Sequence, residues 1–294
     1  MCFDNTIEEM QSRIMLHLYR WDTRKTLTMN NQICIIQLAD KKYYEQRKNC
    51  VNSVSSYCKS MGYEWKGLIG TLDKSTHIAY QKPLALSSEI DNFQYVGWVD
   101  MDVAITNRNF NLLKYLEDKN QDVTICRDPS FFNGGIANSG VIFFKRSELS
   151  KNILSQWWKS RITGTDKHWR HQDQAGNGDA DQQYLNKILK KHKIPIQNPH
   201  DLNIYPKNFK CGDFAIHFMG HKPEDFDPFV EVANSKITNN KLLEKFWLIY
   251  KLQSLDRIQR YYEYGLNENS FSLRFSPEEI LYCAKEIINI NIPN

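Results

Sequence analysis

Asp100 and Asp102 stand one residue apart behind an apolar run, Tyr95-Val-Gly-Trp-Val-Asp-Met-Asp-Val-Ala-Ile-Thr106. On an extended chain residues i and i+2 point the same way, which predicts two carboxylates side by side. Like charges at that spacing repel unless a cation lies between them or one is protonated. A hard divalent ion with oxygen ligands resolves the repulsion. Held at the C-terminal edge of an α/β sheet, such an ion can grip a diphosphate. A solvated turn after a strand is the bland alternative, so the pair has to be weighed with other segments.

Three others bear on it. His217-Phe-Met-Gly-His-Lys-Pro223 puts a histidine at a strand end, where its neutral nitrogen can ligate a metal. In the same segment Gly220 lets the backbone approach a ligand, and Lys222 offers a mobile cation for phosphate oxygens. Asn133-Gly-Gly-Ile-Ala-Asn-Ser-Gly-Val-Ile-Phe-Phe144 is a glycine-rich entry into a strand, with Asn138 and Ser139 able to bond sugar hydroxyls. Asp179-Ala-Asp-Gln-Gln-Tyr-Leu185 opens a helix. There Asp181 either caps the helix or, with Gln182, forms the floor of a sugar pocket, where a buried carboxylate can also act as a base. Asp173-Gln174 ranks lower, because a loop-like stretch follows it.

Positioning these groups calls for strands at 32–38, 63–65, 93–99, 122–127, 140–144 and 214–218. Helices are expected at 41–61, stopped by Gly62, and at 80–90, 111–118, 150–160 and 181–192. Strands alternating with helices predict an α/β fold around a mostly parallel sheet, with 214–218 closing the core. Residues 1–31 read as an N-terminal helical cover, 32–228 as the catalytic domain, and 229–294 as a helical C-terminal extension packed on the core.

The 294 residues, 41% hydrophobic and 13% aromatic, suffice for one large core. A net charge of +4, with lysines spread along the chain, suits a phosphate-bearing substrate and not nucleic acid. No run reaches the roughly 18–20 apolar residues of a membrane span. The expected setting is cytoplasmic or otherwise soluble intracellular, or the Golgi lumen if an N-terminal anchor lies outside this sequence. Seven scattered cysteines without a Cys-x-x-Cys pair read as buried free thiols in a reducing compartment.

The order of motifs resembles glycosyltransferase family 34, the galactosyl-, xylosyl- and mannosyltransferases. It runs from an apolar strand ending in Asp-x-Asp through Asn-Ser-Gly and Asp-Gln to His-Phe-x-Gly-x-Lys-Pro, over about 32–223. The resemblance implies a GT-A fold, a Rossmann-like mixed sheet flanked by helices. It also implies a bound Mn2+ (Mg2+ as the alternative), a nucleotide-sugar donor of UDP type and a glycan acceptor. By that resemblance Asp100, Asp102 and His217 ligate the metal, while Met101, Gly220 and Lys222 contact the donor diphosphate. Asp181 and Gln182 lie at the transferred sugar, and Gln37, Leu38 and Ala39 at the nucleoside. Lys82 is a further candidate for the donor phosphates. Where many relatives carry a second acid before Asp-Gln, this chain has Ala180, which leaves acceptor and stereochemistry open. Relatives retain anomeric configuration and transfer galactose, xylose or mannose, of which xylose or galactose is expected here. An inverting enzyme would need Asp181 as base. A non-catalytic glycan- or nucleotide-binding module is the competing class. A nucleotidyltransferase or phosphohydrolase ranks below both, because the turn Ala39-Asp-Lys-Lys42 lacks glycine.

Overall fold

The computed structural model describes residues 32–74, 80–128, 136–161, 180–210, 212–219 and 230. The expected N-terminal cover lies outside them. So do the C-terminal extension (apart from Val230), Gly220, Lys222, residues 133–135, Asp173-Gln174 and Asp179.

The first strand, β1 (Ile33–Ala39), is a β-branched run buried along its whole length, as a central strand covered on both faces should be. It is followed by α1 (Lys41–Gln46), α2 (Lys48–Met61), β2 (Glu64–Ile69), α3 (Gln81–Glu89), β3 (Tyr95–Val99) and β4 (Val103–Ile105). Next come α4 (Leu112–Lys119), β5 (Val123–Arg127), β6 (Ala137–Lys145), α5 (Glu148–Lys159) and α6 (Ala180–Lys191). A short α7 (Pro199–Leu202), a 3-10 turn (Pro206–Asn208) and β7 (Ala215–His217) complete the described elements.

The main sheet has the order β2-β1-β3-β6-β5. β1 runs parallel to β2 and β3, and β6 runs antiparallel to both β3 and β5. Four of the five strands therefore point one way, with β6 alone reversed, which agrees with the expected mostly parallel sheet. Alternation assigns the two faces. Cys34, Ile36, Leu38, Val96, Trp98, Ile142 and Phe144 pack under α3, α5 and α6. Ile33, Ile35, Tyr95, Val99, Val141 and Phe143 pack against Val54, Tyr57 and Cys58 of α2 and Leu112 and Leu116 of α4.

Several boundaries differ from expectation for local reasons. The helix expected over 41–61 is two helices, broken at Arg47, whose φ of −112° is not helical. Asp40 caps the first by accepting from Tyr43 N at 2.8 Å, and Gly62 ends the second with φ +72°, as a C-terminal glycine should. β6 starts at Ala137, so Asn138 and Ser139 are buried strand residues and not a turn. Asp100 and Asp102 do not ride one extended strand. Val103 N donates to Asp100 O at 3.1 Å, and the pair occupies a turn between β3 and β4. The segment 214–218, expected to close the core, packs Phe214 and Ala215 into it, and β7 pairs antiparallel with β4 in a separate two-stranded sheet. That turn carries the chain off the main sheet and leaves β4 with an edge to fill.

Cys34, Cys50, Cys58 and Cys126 are buried free thiols, as expected. Among the described residues no helix is long and apolar enough to cross a membrane.

Candidate active site

The β4–β7 register places His217 opposite Val103, next in the chain to Asp102. Phe218 N donates to Asp102 O at 2.8 Å and locks that register. His217 Nε2 consequently lies 3.3 Å from Asp102 Oδ1 and 4.0 Å from Asp100 Oδ2. The three side chains offer ligand atoms all within 4.8 Å of one another. With metal–ligand bonds of about 2.1 Å, neighbouring ligands of an octahedral ion lie about 3.0 Å apart and opposite ones about 4.2 Å. Two carboxylates and one imidazole with these separations fit a divalent cation of the hard-to-borderline type.

Electrostatics in this cluster are strong. Asp102 is 6% exposed and His217 3%. Burial alone would raise the Asp102 carboxyl, but the His217 charge and hydrogen bond outweigh it. Arg47 and the Tyr43 hydroxyl add to that, and the net effect holds the group well below the usual carboxylate range. Burial pushes the His217 imidazole down, and the two aspartates more than reverse that, so its pKa ends up raised. A protonated imidazole and a metal ion thus compete for the same carboxylates, and binding the ion expels the proton. His217 Nδ1 has no hydrogen-bond partner among the described residues. It lies against Gly140, where a Cβ would sit 2.7 Å from it.

Around this cluster Lys82 is central. Its ammonium, on α3, lies 3.1 Å from Asp100 Oδ1, 3.7 Å from Asp181 Oδ2 and 3.2 Å from Ser139 Oγ. Trp98 Nε1 donates to Asp100 Oδ1 at 2.6 Å, a contact between residues i and i+2. Asp181 sits in the first turn of α6, which Trp157 anchors by donating to Asp181 O at 3.0 Å. Gln182 Oε1 accepts from Ser139 N at 3.0 Å, pinning that helix start onto β6. Asp100, Asp102, His217, Lys82, Ser139, Asp181 and Gln182 are therefore brought into one cluster.

Other expected contacts take different roles. The Asn138 amide is engaged within the protein. Its oxygen accepts from Gly140 N and Asn203 Nδ2, both at 2.8 Å. Its nitrogen donates to Asp128 Oδ2 at 3.2 Å and the Tyr205 hydroxyl at 2.9 Å, which exhausts the amide. Gln37 is wholly buried and bridges Trp65 Nε1 (3.0 Å) to Asp100 O (3.3 Å), so it braces the aspartate turn. Leu38 packs in the core, while Ala39 and Met101 pack with Val51 beside Tyr43, Tyr44 and Trp65.

Three residues went unseen in the sequence. Tyr43 donates to Asp102 Oδ2 at 3.0 Å. Burial and then Asp102 push its phenol well up, so it remains a donor. Asp128 gathers Asn138, Gln182 Nε2 (3.5 Å) and the Tyr205 hydroxyl (3.4 Å). Tyr205 also sets its ring edge-on to His217, 5.6 Å between centroids. The usable signal was Asp40, whose cap places Tyr43 in the first turn beyond β1.

No protein-family model and no curated protein matches the sequence. Solved structures do match. A glycosyltransferase involved in glycosylation of the major capsid of PBCV-1 superimposes with TM-score 0.52 at 18% identity, over 68% of this chain and 99% of that one. The fold is GT-A. The WbbM bifunctional glycosyltransferase (TM-score 0.47, 10% identity, 74% of this chain, 52% of that one) is a more distant match. So is the galactosyltransferase LgtC, in complex with donor and acceptor sugar analogues (0.41, 15%, 70% and 97%). In this GT-A chain the carboxyl ends of β1 and β3 share one edge of the sheet, and the Asp100–His217 cluster lies at the end of β3.

Proposed function

We propose that the chain is a metal-dependent glycosyltransferase that moves a sugar from a nucleotide-diphosphate donor to a hydroxyl of a glycan acceptor. The observation that carries this is the convergence of Asp100, Asp102 and His217 next to the buried Lys82–Asp181 pair. The family 34 resemblance narrows the donor to a UDP-sugar carrying xylose or galactose, and the course to retention. The sequence pattern makes 32–228 the catalytic domain in this reading, between an N-terminal cover and a helical extension.

Asp100, Asp102 and His217 would hold a divalent cation, manganese by the resemblance, which would neutralise charge on the donor diphosphate. Lys82 supplies a second, fixed positive charge on the Asp181 side of the cluster. Ser139 and Gln182 hold Asp181 and the start of α6 against β6, so that the carboxylate faces the transferred sugar. By the resemblance, the diphosphate is also the expected contact of Gly220 and Lys222, which follow His217 in the sequence. In transfer the anomeric C–O bond breaks, and its electron pair stays on the diphosphate. The acceptor oxygen bonds to the anomeric carbon, and its proton passes to a leaving phosphate oxygen. Fixed charges aimed at the departing diphosphate contribute several kcal/mol to such a step.

The test is donor hydrolysis across a panel of nucleotide sugars with and without manganese. One UDP-sugar should turn over only with the ion, and Asp102→Ala should abolish that turnover. Binding of UDP without any turnover would point to a binding module. NMR of the released sugar's anomer distinguishes retention from inversion with Asp181 as base.

A further inference from the structure

We propose that Tyr43 is a positioning residue that restricts Asp102 to ligation through one oxygen and so favours a six-coordinate ion over calcium. The inference rests on the metal-dependent reading above and adds to it a determinant of which ion the site selects.

Asp102 has two oxygens in different surroundings. Oδ1 faces His217 Nε2 at 3.3 Å and belongs to the candidate ligand set. Oδ2 accepts the Tyr43 hydroxyl at 3.0 Å. The carboxylate is buried, so the hydroxyl's hold is not diluted by water. Tyr43 is itself held. Asp40 caps its backbone N–H at 2.8 Å, the Arg47 guanidinium lies 5.1 Å over its ring, and Ala39, Val51 and Met101 pack beside it. A ring fixed at both ends delivers its hydroxyl to a single place.

Carboxylates bind calcium readily through both oxygens, because calcium takes six to eight ligands in flexible geometry. Smaller ions demand near-octahedral arrangement and one oxygen per carboxylate. A hydroxyl held on Oδ2 opposes rotation of the carboxylate into the two-oxygen mode. Loss of a hydrogen-bond partner behind a ligand lowers metal affinity by about 10–100-fold in comparable sites.

The experiment is calorimetric titration of the full chain with Mn2+ alone and with Ca2+ alone, for wild type, Tyr43→Phe and Tyr44→Phe. Tyr43→Phe keeps the ring and its packing and removes only the hydroxyl. Tyr44→Phe deletes the neighbouring hydroxyl as a control. The expected result is about a 10–100-fold loss of manganese affinity in Tyr43→Phe. A smaller loss for calcium should narrow the Mn2+/Ca2+ ratio, with Tyr44→Phe matching wild type. Wild-type manganese affinity in Tyr43→Phe overturns the inference. So does an equal fall for both ions, which would mark unselective damage. A wild-type chain that binds neither ion would instead remove the metal-dependent reading itself.

Discussion

Gly140 lies within β6, and its missing side chain is what allows His217 to rest against the sheet. A Cβ there would stand 2.7 Å from His217 Nδ1 and 2.9 Å from Asn138 Oδ1, and would crowd the imidazole Cε1 more closely still. Neither neighbour yields cheaply. Asn138 Oδ1 is held by Gly140 N and Asn203 Nδ2, both at 2.8 Å, and His217 N donates to Ile204 O at 2.8 Å. Ordinary contact needs about 3.5 Å, so Gly140→Ala must move the imidazole by more than about 0.8 Å. Metal sites tolerate ligand displacements of about 0.2 Å. Overpacking of this kind costs about 1–3 kcal/mol, or about 2–10 °C in melting temperature. The same shift should cost at least about 10-fold in manganese affinity. A double-mutant cycle with His217→Ala isolates the cause, since removing the imidazole should relieve a large part of the stability loss. Wild-type manganese affinity in Gly140→Ala would refute the reasoning, and so would a stability loss that His217→Ala leaves untouched.

Lys82→Met removes the ammonium from between Asp100 and the buried Asp181. The loss of stability should be about 2–3 kcal/mol, below a fully buried pair because Asp100 keeps 25% side-chain exposure. Manganese should raise the melting temperature more in this variant than in wild type, and an equal rise in both would contradict the shared-charge picture. Asp128→Asn should lower kcat/KM for donor hydrolysis about 10-fold while leaving manganese affinity unchanged, because Asp128 bonds Asn138, Tyr205 and Gln182, which are not candidate metal ligands. Parallel titration and kinetics check this, and a matching fall in metal affinity speaks against it. Burial pushes the Cys58 and Cys126 thiols up to about 12. At pH 8 only about one in 10^4 is thiolate, against roughly a quarter of a free cysteine. Alkylation of the folded protein at pH 8, mapped by mass spectrometry, should spare both. Their modification before unfolding would show that the α2 packing and β5 are misplaced.

The sheet was legible because β1, β3 and the later part of β6 (140–144) are buried on both faces and are written as largely apolar runs, which favour central strands. The candidate ligands were legible from residue chemistry, since Asp-x-Asp and a strand-end histidine are expensive to bury without a cation. How they meet was not legible. The pairing of β4 with β7 joins segments more than a hundred residues apart, and no local pattern encodes which edge a short strand fills. The bonds of Asn138 and Gln37 were hidden for a related reason. An amide's type reveals that it will bond, but its partners (Asp128 and Asn203, Trp65 and Asp100 O) come from other parts of the fold. Tyr43 and Asp128 were passed over because neither stands in a motif. Their roles exist only once α1 and β5 have been placed beside the aspartate turn.

Pulsed electron paramagnetic resonance of Mn2+ added to the chain together with UDP tests convergence most directly, because a ligated imidazole imprints its nitrogen on the manganese signal. The account predicts one such nitrogen coupling in wild type, absent in His217→Gln. Bound manganese with no nitrogen coupling, or with a coupling that survives His217→Gln, would contradict it.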